Sequence, residues 1–216
     1  MANRTQLNPM LPDNYFRRYD ETNDDDFYQS ARLVVHIDDQ AIAATTALFR
    51  ELLPPGGAIL DLMSSWRSHL PTDVAYSRVA GQGMNATELR QNPQLTDYIV
   101  QNLNQQPTLP YKDGEFDGCV VTVSVQYLTQ PILVFQEVAR VLKPGSPFIT
   151  VFSNRMFPTK AVAIWQSLDD AGHAQLVETY YEQTGQFTNI HTQNRSPSPG
   201  RSDPLFATVG YRKQIT

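Results

Sequence analysis

The 216-residue sequence predicts an α/β fold with a doubly wound, mostly parallel sheet and an antiparallel hairpin at its C-terminal edge. Three observations lead there. Short apolar, β-branched runs alternate with longer stretches whose apolar residues recur at helical spacing. Turn formers such as Pro54-Pro55-Gly56-Gly57 and Lys143-Pro144-Gly145 punctuate them. The last two strand-like runs, 187–192 and 205–212, are joined by a Ser/Pro-rich loop with no helix between them.

Taken in order, residues 1–38 are polar but carry Tyr15, Phe16, Tyr19, Phe27 and Tyr28, more rings than a disordered tail ordinarily holds. They are expected to form an N-terminal lid or extension, with residues 39–216 as the α/β domain. The acidic run Asp24 to Asp26 reads as solvated rather than metal-binding, since no second cluster of ligand-type residues accompanies it.

Apolar residues from Ile42 to Leu53 recur at helical spacing, and the Pro/Gly run stops that helix. Ala58-Ile59-Leu60-Asp61-Leu62 then reads as a buried strand. A second apolar segment, 74–80, closes at Gly81-Gln82-Gly83, and Asn85 with Glu88 three residues on has the form of a capping box. Residues 98–100 and 118–125 are strand candidates, the latter rich in β-branched residues. Pro131 opens a helix with Leu133, Val134, Val138, Val141 and Leu142 on one stripe. A strand over 147–152 and helical segments near 160–167 and 170–184 precede the closing hairpin.

Composition bounds the function. A formal charge of −5 argues against nucleic acid or an anionic membrane as the main partner, because both call for a basic surface. Cys119 is the only cysteine, so neither an internal disulfide nor a cysteine metal cluster is available. No apolar run approaches the roughly 20 residues of a membrane span, and residues 1–14 lack the apolar centre of a signal peptide. A cytoplasmic protein without an integral membrane segment is expected, as a monomer or weak homodimer.

Ligands of doubly wound sheets bind outside the carboxyl ends of the strands. Around those ends the chain carries Ile59-Leu60-Asp61-Leu62, then Leu109-Pro110-Tyr111-Lys112-Asp113-Gly114-Glu115-Phe116-Asp117, then Val138 to Gly145 (VARVLKPG). In that order and spacing they resemble the Rossmann-like class I S-adenosylmethionine-dependent methyltransferases of the UbiE/methyltransferase type 11 kind, most closely over residues 39–152. The resemblance implies a methyltransferase that uses S-adenosylmethionine and acts on a small-molecule substrate.

It also implies roles for residues. Asp61 and the following Met63, Ser64 and Ser65 occupy the cofactor turn, where the family's three glycines are all replaced by residues with side chains. Gly81 and Gln82 lie where the family commonly places an acid for the ribose. Asn102, Leu103 and Asn104 match the adenine loop, and Ser124 and Tyr127 follow the fourth strand. Tyr127 stands alone where nucleic-acid amino-methylating relatives carry a proline-proline-aromatic motif, so base methylation is not expected.

Substrate contacts are expected from Asn154 and Arg155 after the fifth strand, from Trp165 and His173, and from Tyr19, Tyr28 and Arg32 in the lid. Methyl transfer from a sulfonium needs mainly positioning and exclusion of water. Where a general base is used, His36 is the first candidate and Tyr127 the second. Two other readings compete. One is a binding or regulatory protein that keeps the fold but has lost catalysis, suggested by the altered turn. The other, a nicotinamide-dependent oxidoreductase, lacks both the G-x-G-x-x-G turn and the ribose-binding acid about 20 residues beyond it.

Overall fold

The computed structural model describes residues 11–214; residues 1–10 of the expected N-terminal extension lie outside the described residues. In chain order the elements are α1 (Asp24–Phe27), α2 (Asp39–Leu52), β1 (Ala58–Leu62), β2 (Arg78–Gly83), α3 (Ala86–Gln91), β3 (Asp97–Val100), β4 (Gly118–Thr122), α4 (Pro131–Val141), β5 (Pro147–Phe152), α5 (Ala163–Ser167), α6 (Asp170–Thr184), β6 (Phe187–Asn194) and β7 (Phe206–Arg212). The strands form one sheet in the order β3-β2-β1-β4-β5-β7-β6. The first five are mutually parallel, and β7 runs antiparallel to both β5 and β6.

Side chains alternate across a strand, and the central strands are apolar on both faces. Leu60, Leu62, Cys119 and Val121 point to one layer, where they meet Val134, Phe135 and Val138 of α4 and Val177, Tyr180 and Tyr181 of α6. Ile59, Val120, Ile149 and Val151 point to the other, against Leu48 and Phe49 of α2. Two cores sandwich the sheet, which is why these strands read as continuous apolar runs.

Local chemistry sets the boundaries. Asp38 caps α2 by accepting from the Ala41 amide at 2.9 Å, and the helix stops at Leu52 just before the proline pair. Asn85 caps α3 by accepting from the Thr87 and Glu88 amides. The reciprocal half of the expected capping box is missing, because Glu88 turns instead to Arg32 and Ser65. β2 extends through Gly81-Gln82-Gly83 rather than ending before it, and Gly83 lies so close to the next turn that a side chain there would run into the Ser64 carbonyl. β4 ends at Thr122, earlier than its β-branched composition suggested, because Val123 turns to a φ of 51°.

Parallel strands ordinarily connect through a helix. The connection from β1 to β2, residues 63–77, contains none. Side chains satisfy its backbone instead: Thr46 donates to the His69 carbonyl, Asn92 to the Ser65 carbonyl, and Gln94 to the Leu70 carbonyl. Among the described residues no helix is long and apolar enough to cross a membrane.

Candidate active site

The strand order reverses between β1 and β4, and a cavity of about 580 Å³ opens at their carboxyl ends. Its floor comes from the turns after β1, β2, β3 and β4. Its far wall comes from residues 155–157 after β5 and from the N-terminal segment.

Asp61 sits at the base, 2% exposed, and its carboxylate accepts from the Ser64 hydroxyl at 2.5 Å. Burial pushes its carboxyl up to about 7, although hydrogen bonds from Ser64 and Ser68 pull the other way. Met63 occupies the first glycine position of the turn and adopts the φ that glycine would favour, 56°. The backbone shape is therefore kept while a side chain is added. The Met63 amide donates to Gln82 Oε1 at 3.1 Å and the Ser64 amide to the Gln82 carbonyl at 2.6 Å, which pins the turn to β2.

Across the switch point, Val123 holds a φ of 51°, which is costly for a β-branched residue, and it lines the cavity. Beside it the hydroxyls of Thr122 and Ser124 are buried with no hydrogen-bond partner. Unpaired polar atoms of this kind are uncommon in a folded chain, and both of these hydroxyls belong to residues that border one cavity.

The N-terminal segment packs across the opening. Asn85 Nδ2 donates to the carbonyls of Tyr28 and Gln29, Glu88 accepts from the Arg32 amide at 2.7 Å, and Trp66 Nε1 donates to the Val34 carbonyl. The segment is anchored by Asp24, whose carboxylate lies 2.6 Å from Arg18 and 3.2 Å from Lys160. Lys160 is fully buried and Asp24 nearly so, which corrects the expectation of a solvated acidic run at Asp24, while Asp25 and Asp26 are exposed as expected. The signal missed was Lys160, whose distance in sequence hid a buried pair.

All the residues expected at the cofactor line the cavity except Gly81, which packs against Leu95 on the face of β2 away from it. The lining position does not leave every side chain free. The Gln82 amide is spent on Met63 and on the Gln101 carbonyl. Asn104 donates to Asp24 and the Tyr127 carbonyl and accepts from the Thr129 amide. Asn102 reaches Asp25. Leu103 is buried and presents an apolar surface.

His36 and Tyr127 both line the cavity. Burial pulls the His36 imidazole below its ordinary value, and its ring lies edge-on to Phe157 at 5.3 Å. The Tyr127 hydroxyl accepts from the Phe157 amide at 2.8 Å, and burial raises its pKa. Tyr28, Arg32 and Arg155 also line the cavity.

Four expected substrate residues do not. Tyr19 is 89% exposed outside it, and Asn154 is exposed to solvent. Trp165 and His173 are core: their rings stack at 4.0 Å and 10°, with His173 Nε2 hydrogen-bonded to the Trp165 carbonyl. His173 lies on the buried face of α6 with Leu176, Val177 and Tyr180, and that face meets the core, not the cavity. Sequence reasoning also passed over Glu88, a mostly buried carboxylate on the cavity wall, because its spacing from Asn85 suggested a capping role.

The sheet order and a cavity at the switch point define a class I methyltransferase architecture. Residues 68–150 match the methyltransferase-domain family. The chain is 29% identical over 99 residues to the biotin biosynthesis bifunctional protein BioHC of Teredinibacter turnerae, covering 42% of this chain and 17% of that protein. It is 29% identical over 125 residues to the methyltransferase phqN of Penicillium fellutanum, covering 54% of this chain and 35% of that one. The chain thus spans well under half the length of the curated relatives it matches.

Among solved structures, an S-adenosylmethionine-dependent methyltransferase from Mesorhizobium loti shares the fold at TM-score 0.55 and 15% identity, over 78% of this chain and 98% of that one. Phosphoethanolamine N-methyltransferase 2 of Haemonchus contortus, solved with S-adenosyl-L-methionine, does so at TM-score 0.58 and 12% identity, over 80% and 52%. The chain thus carries a methyltransferase-domain match over residues 68–150 and shares the fold of S-adenosylmethionine-dependent methyltransferases.

Proposed function

We propose that this chain binds S-adenosylmethionine in the cavity and transfers its methyl group to a small-molecule acceptor. The observation that carries the reading is the pair of unpartnered hydroxyls on Thr122 and Ser124, residues that border the same cavity as the buried Asp61 at the switch point of the sheet. A polar, cationic ligand there would satisfy the hydroxyls and favour the charged form of the carboxyl. Asp61, Ser64, Ser65 and Ser124 would hold the methionine end, and Leu103 would pack on the adenine. A cavity of about 580 Å³ also lies in the range of small-ligand sites.

The cofactor supplies a methyl group already activated by its sulfonium. The protein's part is to align the acceptor, exclude water and, where the acceptor must lose a proton, receive it. His36 suits that last role, since a lowered pKa keeps the imidazole neutral near pH 7. Tyr127 is a positioning residue, because its hydroxyl holds the Phe157 amide and its raised pKa keeps it protonated near neutral pH. Residues before Asp39 act as a lid over the domain that follows. We place the enzyme in the cytoplasm, as a monomer or weak homodimer, with no nucleic-acid substrate given the charge of −5.

A second reading, a binding protein of the same fold without catalysis, is favoured by one set of facts. Met63 fills a glycine position, and the Gln82 and Asn104 amides that would serve ribose and adenine are committed elsewhere. Isothermal titration with S-adenosylmethionine and S-adenosylhomocysteine separates the possibilities. Binding of both is expected; no heat from either on folded protein removes the methyl-transfer reading, and binding without turnover across acceptor panels selects the second.

A further inference from the structure

We infer that the methyl acceptor carries a carboxylate and that Arg32 receives it. This deepens the methyl-transfer reading and rests on it. Three arginines line the cavity. Arg155 is paired with Asp203 at 2.7 Å. Arg67 is exposed and lies over the Trp66 ring, 4.4 Å from its centroid. Arg32 differs from both, because it is half-buried and its side chain has no carboxylate partner among the described residues.

Its guanidinium is held among aromatic rings at the cavity's far wall. The central carbon lies 4.5 Å from the Phe27 ring and 5.5 Å from the Phe157 ring, and Nη2 donates to the Phe27 carbonyl at 2.8 Å. Nη1 is buried without an acceptor. The neighbouring acids do not supply one: Glu88 is engaged by the Arg32 amide and the Ser65 hydroxyl, and Asp24 by Arg18 and Lys160. A charged group with an unmet donor, stacked between rings and therefore already oriented, is suited to a ligand anion. A carboxylate matches the planar guanidinium with two parallel bonds, which an isosteric amide cannot do with equal strength.

Phenylacetate and hexanoate are titrated against phenylacetamide and hexanamide by calorimetry, with S-adenosylhomocysteine present and absent. At least one acid should bind about tenfold more tightly than its amide. Arg32→Met should erase that preference while S-adenosylhomocysteine still binds, and Arg32→Lys, which keeps the charge, should retain part of it. Equal binding of acids and amides, a preference that survives Arg32→Met, or no binding of either acid overturns the inference. Should Arg32→Met not fold, the loss or retention of preference in Arg32→Lys against wild type gives the answer. Failure of S-adenosylhomocysteine to bind wild type counts against methyl transfer instead, and the titration without it still reads Arg32.

Discussion

Replacing Asp61 with asparagine should stabilise the fold at alkaline pH while weakening cofactor binding. The carboxyl is buried, and its pKa rises from the ordinary 3.8 to about 7. Between those values the folded chain keeps a proton that the unfolded chain has released, so stability falls as pH rises from about 4 to about 7 and is level above. At 1.36 kcal/mol per pH unit, the accumulated cost is about 4 kcal/mol at pH 8 and about 2 kcal/mol at pH 5. The introduced amide would still accept the Ser64 hydroxyl through its oxygen, and it carries no titrating proton. Urea unfolding of both proteins at several pH values isolates the difference. The advantage of Asp61→Asn should grow by roughly 2–3 kcal/mol between about pH 5 and pH 8. Parallel pH profiles for the two proteins would refute the burial argument. With S-adenosylhomocysteine, calorimetry should show affinity reduced in the variant, since the charged partner is gone.

Packing supports two more expectations. Gly83→Ala drives a methyl group into the Ser64 carbonyl, so the turn must shift; a loss of about 1–3 kcal/mol in urea unfolding and weakened S-adenosylhomocysteine binding are expected. Asp24→Asn leaves Arg18 and Lys160 buried with reduced compensation, at a cost of about 3–5 kcal/mol. Hydrogen exchange should then accelerate over residues 20–37 while β1 and β4 stay protected, and uniform acceleration would deny the segment a separate anchor.

The sequence alone determined the architecture, because strand and helix periodicities are local and the two apolar faces of β1, β4 and β5 demand helices on both sides of the sheet. It also placed the cavity: Asp61, Ser65, Leu103 and Ser124 lie at strand ends, and strand ends are set by turn chemistry readable in the chain. Tertiary structure decided which of those side chains are free. Gln82 and Asn104 point to the right place but are bound to partners 19 to 80 residues away, a fact no spacing rule contains. The same holds for Asp24, paired with a lysine 136 positions further along the chain, at residue 160, and for Trp165 and His173, which stack into the core. A motif records residue types at short separations. Burial and hydrogen-bond commitment are settled by long-range contacts, and these determine what a polar side chain has left to offer a ligand.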